Sequence, residues 1–143
     1  MTGIDKQLIV NSEDETKKLA KEYAAGLTSG DVVVLNGNLG TGKTFFIREA
    51  VKYFRVEAVS SPTFALVNEY EGKTKIYHFD FYRINRIEEL YDIGFEDYLN
   101  DEEAIIFIEW GNLFEDILPR RRKEINIAAG EEEQRTFEFK EYK

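Results

Sequence analysis

Residues 37–44, GNLGTGKT, constrain this chain more than any other stretch: Gly37, four residues, then Gly42, Lys43 and Thr44, the spacing of a phosphate-binding loop. Glycines at these positions let successive backbone N–H groups turn inward, where a Cβ would clash or forbid the φ > 0 conformations required. Lys43 brings a mobile positive charge for the β- and γ-phosphates of a nucleoside triphosphate, and the Thr44 hydroxyl is suited to ligate a bridging Mg²⁺. Gly37, Asn38, Leu39, Gly40, Thr41, Gly42, Lys43 and Thr44 are therefore all candidate nucleotide contacts. The flanks agree with the motif. DVVVLN at 31–36 is an apolar, β-branched run that predicts a buried strand, and KTFFIREAVKYF at 43–54 predicts a helix whose N-terminus faces the phosphates.

The rest of the chain predicts an α/β domain with a mixed sheet, parallel around the loop and antiparallel toward one side. QLIV at 7–10 reads as a first strand, and SEDETKKLAKEYAAGL at 12–27 as a helix with Ser12 as N-cap, Glu15 three residues on, and a stripe of Leu19, Ala20, Tyr23 and Leu27. In AVSSPTFALVNEY, Pro62 marks a loop that leads into a strand at about 64–70. TKIYHFD at 74–80 returns beside that strand as an antiparallel hairpin. Short helices broken near Gly94 are expected over 86–100, a central strand over 104–110, and a last strand pair in KEINIAAG and RTFEFKEY. With 143 residues, 43% of them hydrophobic, one core and a single domain over 1–143 are expected, of P-loop NTPase-like three-layer build.

Composition narrows the function classes. A net charge of −9 opposes direct binding of nucleic acid across the whole surface, since such binding runs on counterion release at Lys and Arg, so a protein partner is expected instead. Zero cysteines remove disulfides, thiolate zinc sites and thiol nucleophiles. No apolar run reaches the ~18 residues of a membrane span, and MTGIDKQLIV does not resemble a signal peptide, so a cytoplasmic location is expected. Residues 88–103 hold eight carboxylates and neither Lys nor Arg, which reads as a solvated helical face or as a dock for a basic partner. Arg120, Arg121, Arg122 and Lys123 read as an exposed basic loop.

Magnesium calls for a carboxylate from the end of a neighbouring buried strand. Glu109, after Ile105–Ile108, is preferred because its strand is apolar on both faces and therefore central. Asp80, after a more polar strand, is the alternative, suited to positioning water. Thr63 lies in a loop able to respond to a γ-phosphate. Trp110, the single tryptophan, fits beside a nucleotide or in the core, and its size favours the core. His78, the single histidine, reads as a satisfied structural residue. A small-molecule kinase and a nucleotide-gated binding module without significant hydrolysis are the competing functions.

GNLGTGKT, SPTFALVNEY at 61–70, HFDFYR at 78–83 and IEW at 108–110, in that order, resemble the TsaE (formerly YjeE) family over most of the chain. The resemblance implies a P-loop ATPase, using ATP and Mg²⁺, that is needed for N6-threonylcarbamoyladenosine at position 37 of tRNAs reading codons that begin with A. It implies partners as well: a TsaD-type transferase and a TsaB-type companion. Hydrolysis would be weak alone and stimulated in that complex, with tRNA met at most through it. By motif position, Gly40 to Thr44 would hold the phosphates and Thr44 and Glu109 the magnesium. Thr63 would lie in a switch-like loop, Asp80 would be a further functional carboxylate, and Glu13 matches a family nucleotide contact. Asn38 stands where the family often has Asp. The C-terminal region differs in length from relatives, so a nucleotide-contacting arginine is not carried over onto Arg135.

Overall fold

The computed structural model describes residues 6–60 and 66–143, leaving aside the side chains of 57–60. In chain order the elements are β1 (Lys6–Val10), α1 (Glu13–Ala25), β2 (Val32–Asn36), α2 (Lys43–Lys52), β3 (Glu57–Ser60), β4 (Val67–Glu71), β5 (Lys75–Asp80), α3 (Glu88–Asp92), α4 (Phe95–Leu99), β6 (Ala104–Glu109), β7 (Arg122–Ala129) and β8 (Arg135–Tyr142). Short 3₁₀ turns, Phe81–Arg83 and Gly111–Ile117, follow β5 and β6. The strands form one sheet in the order β1-β8-β7-β2-β6-β5-β4-β3.

The four central strands, β7, β2, β6 and β5, run parallel. Their sequences explain their place: β6 is buried at all six positions and β2 at four of five, as strands covered on both faces must be. Antiparallel pairing occurs on both flanks, β1-β8-β7 on one side and β5-β4-β3 on the other, not on one side as the sequence predicted. Hairpin signals fix which strands pair locally but not the edge on which each hairpin docks. Residues 57–60, for which the sequence predicted no strand, form the edge strand β3. It is held by register with β4, from Glu57 opposite Glu71 to Ser60 opposite Asn68.

Alternation along the strands builds two cores, one on each face of the sheet, where composition predicted one. Val33, Leu35, Ile105 and Phe107 face α1 and α2, where Ala20, Ala24, Phe46 and Ile47 meet them. Val34, Ile106, Ile108 and Phe79 face the other side, against Leu90, Phe95 and Phe81. The result is three layers. Phe46, fully buried, packs edge-on to Tyr23 and against Phe137, so α2 is pinned to both α1 and the sheet. Burying such a side chain stabilises by roughly 1.5–3 kcal/mol, which holds the start of α2 at the end of β2.

Local signals operate as read at most ends. Ser12 Oγ accepts the Glu15 N–H at 3.1 Å and caps α1, while Glu15 Oε1 accepts the N–H of Asn11, one residue before the cap. Gly94, with φ +76°, separates α3 from α4. α2 ends at Lys52, two residues before the predicted end. Arg122, expected in a loop, opens β7 one residue ahead of the strand predicted from Lys123, and both are paired, Arg122 with Glu124 at 2.6 Å and Lys123 with Glu141 at 3.3 Å. Within the acidic stretch, Asp101 accepts hydrogen bonds from Lys75 and the Tyr77 hydroxyl. Among the described residues no helix is long and apolar enough to cross a membrane.

Candidate functional site

The site forms at the C-terminal edge of the parallel strands, where β2 runs into the glycine loop and α2 begins. Gly40 (φ +82°) and Gly42 (φ +97°) take the left-handed backbone the sequence demanded, and a Cβ on either would meet nothing within 4 Å. Conformation, not crowding, requires these two glycines. Gly37 is different: a Cβ there would sit 2.6 Å from the Ile127 carbonyl oxygen and 2.8 Å from Thr41 Oγ1. The loop thus lies against β7 closely enough that only hydrogen fits.

α2 starts without a side-chain cap and without an acidic residue in its first turn. Its first N–H groups have no intrahelical acceptor by helix geometry, and with the dipole they make an anion-binding end. Lys43 is buried, and its Nζ donates to the carbonyls of Gly37 (2.8 Å) and Asn38 (3.0 Å) while lying 4.3 Å from the Trp110 ring centroid. Burial pushes the ammonium's pKa below its ordinary value, against the opposing pull of the Glu109 and Asp80 charges. A lysine held this way is a charge ready to move onto phosphate oxygens.

Two carboxylates face it. The parallel register of β5 and β6 sets Asp80 opposite Glu109 and His78 opposite Phe107. By strand alternation His78, Asp80, Phe107 and Glu109 all point toward the α2 layer. Glu109 is 4% exposed; its Oε1 accepts from the exposed Thr44 hydroxyl at 2.8 Å, and its Oε2 lies 2.6 Å from His78 Nε2. Burial raises its pKa, but the His78 hydrogen bond and charge, the Thr44 hydroxyl and Lys43 together hold it below the usual carboxylate value. Asp80 accepts the Tyr82 N–H at 3.1 Å and lies 3.5 Å from Arg83 Nε. Burial, followed by the Glu109 charge, raises its pKa, and the Tyr82 N–H, Arg83 and His78 only partly offset that.

Gly40, Lys43, Thr44, Asp80, Glu109 and Trp110 line one cavity of about 290 Å³, so the structure brings these sequence candidates together. Trp110 packs against the second core, as its size suggested, and its ring also meets Lys43 and, at 5.0 Å, Tyr82. Asn38 and Leu39 are exposed at the loop's tip, Leu39 at 67%. Glu13 and Thr41 lie around a second, smaller cavity of about 160 Å³ that adjoins the loop at Gly42 and also includes Arg135. The Thr41 hydroxyl is buried and has no hydrogen-bond partner among the described residues. Thr63 lies outside the described residues. A larger cavity, about 380 Å³, is at the opposite end of the sheet, where Arg122 and Lys123 are already paired.

Two contributors were not read as site residues from the sequence. His78 is joined to Glu109, and the signal was its i, i+2 spacing from Asp80 on a strand beside the Glu109 strand. Arg135 opens β8 and donates from Nε to the Thr41 carbonyl (3.0 Å) and from an Nη to that of Gly40 (3.4 Å), clamping the loop from behind. No local pattern announces a contact across 94 residues.

A three-layer α/β architecture with a glycine loop between its buried β2 and α2, and carboxylates at the ends of the two strands beyond, is a P-loop NTPase-like fold. The model for the family described as "Threonylcarbamoyl adenosine biosynthesis protein TsaE" matches residues 10–137, and the chain belongs to that family. Three tRNA threonylcarbamoyladenosine biosynthesis proteins TsaE are among its relatives. The one from Rickettsia conorii is 48% identical over 123 residues, 84% of this chain and 69% of the relative. That from Rickettsia bellii is 42% identical over 94% of each chain, and that from Bacillus subtilis 38% identical over 91% and 81%. The crystal structure of Bacillus subtilis YdiB superposes with a TM-score of 0.79 at 28% identity, covering 100% of this chain and 88% of that one.

Proposed function

We propose that this protein binds ATP with magnesium at the 37–44 loop and hydrolyses it in support of N6-threonylcarbamoyladenosine formation in tRNA. In this reading it is a cytoplasmic accessory to a TsaD-type transferase and a TsaB-type companion. The observation that carries the reading is the convergence of Lys43, Thr44, Asp80 and Glu109 on one cavity at an uncapped helix start. The residues fit the ligands: open backbone at Gly40 and Gly42 suits phosphate oxygens, and a hydroxyl already paired with an ionised carboxylate is an all-oxygen donor set of the kind magnesium takes. Magnesium, when bound with ATP, neutralises charge on the β- and γ-phosphate oxygens.

The chain's own groups divide the remaining work. The loop N–H groups and Lys43 bind and orient the phosphates. Thr44 and Glu109 hold the metal side. Asp80, with its pKa raised and its carboxylate anchored by the Tyr82 N–H, is placed to position the attacking water. Lys43 is the cation among the residues lining the cavity, and charge stabilisation by an arginine would have to come from elsewhere. Weak turnover alone and faster turnover in the complex follow.

The test is ATP turnover by the purified protein, alone and with a TsaD–TsaB-type pair added, with Lys43→Ala as the control for contaminating ATPase. Stimulation that the variant loses supports the reading. Tight nucleotide binding without stimulation would remove the partner role and turn attention to hydroxyl acceptors, as for a kinase.

A further inference from the structure

His78 is 6% exposed on β5, two residues before the strand ends at Asp80, beneath the cavity and not in its lining. Its Nε2 approaches Glu109 Oε2 at 2.6 Å, while the other carboxylate oxygen takes the Thr44 hydroxyl at 2.8 Å. Both oxygens of Glu109 are therefore engaged, one from within the sheet and one from the loop helix. A carboxylate has only acceptors to offer, so the Nε2 of this pair must carry its proton. The Glu109 side chain could otherwise rotate about its terminal torsion, which is broad and soft. With Oε2 tied down, Oε1 has one direction to point.

We propose that His78 is a positioning residue: its Nε2–H fixes the Glu109 carboxylate through one oxygen so that the other is presented to Thr44 and to the magnesium side of the site. This rests on the assignment of Glu109 to magnesium made above. Outer hydrogen bonds of this kind orient a metal's carboxylate and sharpen its affinity without touching the metal. His78 does not touch nucleotide in this arrangement; it acts through Glu109.

The test is the ratio of ATP dissociation constants in EDTA and in excess Mg²⁺, measured calorimetrically on the full chain. His78→Leu removes the donor. His78→Asn keeps an amide too short to reach Oε2, and His78→Gln places an amide N–H near the Nε2 position. The Leu and Asn variants should lose about 10- to 100-fold of the magnesium-dependent gain, with affinity in EDTA unchanged, and Gln should recover most of it. A Leu or Asn variant that keeps the gain, or a Gln variant that loses as much as Asn, overturns the proposal. If the Leu variant does not fold, the Asn–Gln comparison alone decides.

Glu109→Gln separates the two readings. If that variant keeps the magnesium-dependent gain, the metal assignment itself fails; if it loses the gain while the His78 variants keep it, only the positioning role fails. Because His78 is the single histidine, ¹⁵N spectra of the unsubstituted protein report its ring without assignment. The expected form carries a proton on Nε2, and a neutral ring protonated only at Nδ1 would overturn the proposal without any variant.

Discussion

Replacing Lys43 by Met separates binding from folding more cleanly than any other single change. In the unliganded protein the ammonium is buried, held by the carbonyls of Gly37 and Asn38 and by the Trp110 face, and its pKa is lowered by that burial. Met removes two charge-assisted hydrogen bonds, about 1.5–3 kcal/mol each in gross terms, but also removes a desolvated charge whose penalty is of similar size. The flexible thioether keeps the apolar stem packed on Trp110. The net change should stay within about 1 kcal/mol. For 143 residues at ~2.1 cal/mol/K each, the unfolding entropy is about 0.3 kcal/mol/K, so 1 kcal/mol corresponds to a Tm shift of about 3 °C. ATP with Mg²⁺ at a hundred times Kd should stabilise the parent by about 2.7 kcal/mol, a rise of about 9 °C. Thermal unfolding with and without nucleotide, read by circular dichroism, gives both quantities. Lys43→Met should keep the unliganded Tm within that 3 °C and abolish the nucleotide-dependent rise. A variant that still rises by most of 9 °C would refute Lys43 as the phosphate charge. An unliganded loss above about 10 °C would show that its first task is structural.

Asp80→Asn should abolish turnover yet stabilise the fold at neutral pH. The folded pKa of Asp80 is raised, so the penalty on its charge builds as pH rises from the ordinary carboxylate value through the folded one. The variant's advantage should be full at pH 7 and vanish below about pH 4 in parallel urea titrations. Gly37→Ala must push the loop off the Ile127 carbonyl, costing about 1–3 kcal/mol in chemical unfolding and weakening nucleotide affinity measured by calorimetry. Ser12→Ala removes the α1 cap and should lower Tm by about 3 °C, from a loss of ~1 kcal/mol, with ATP affinity unchanged.

The sequence by itself determined the local pieces. Gly40 and Gly42 had to be glycine because their φ is positive, β6 had to be central because it is apolar at five successive positions before Glu109, and Gly94 had to break the helix. Such features depend on a residue's own conformational limits or on its neighbours within a few positions, and they are written in the order of the chain. The four motif blocks were specific enough to identify the family, which the family model bears out. Tertiary structure decided what joins across distance. That antiparallel hairpins flank both edges, that residues 57–60 pair with β4, and that Arg135 clamps the loop follow from which surfaces meet during packing. The fate of His78 is the clearest instance. Its spacing from Asp80 says only that the two share a strand face; the parallel register with β6, which the sheet decides, carries it under Glu109, 31 residues on, and puts the imidazole and the carboxylate within 2.6 Å.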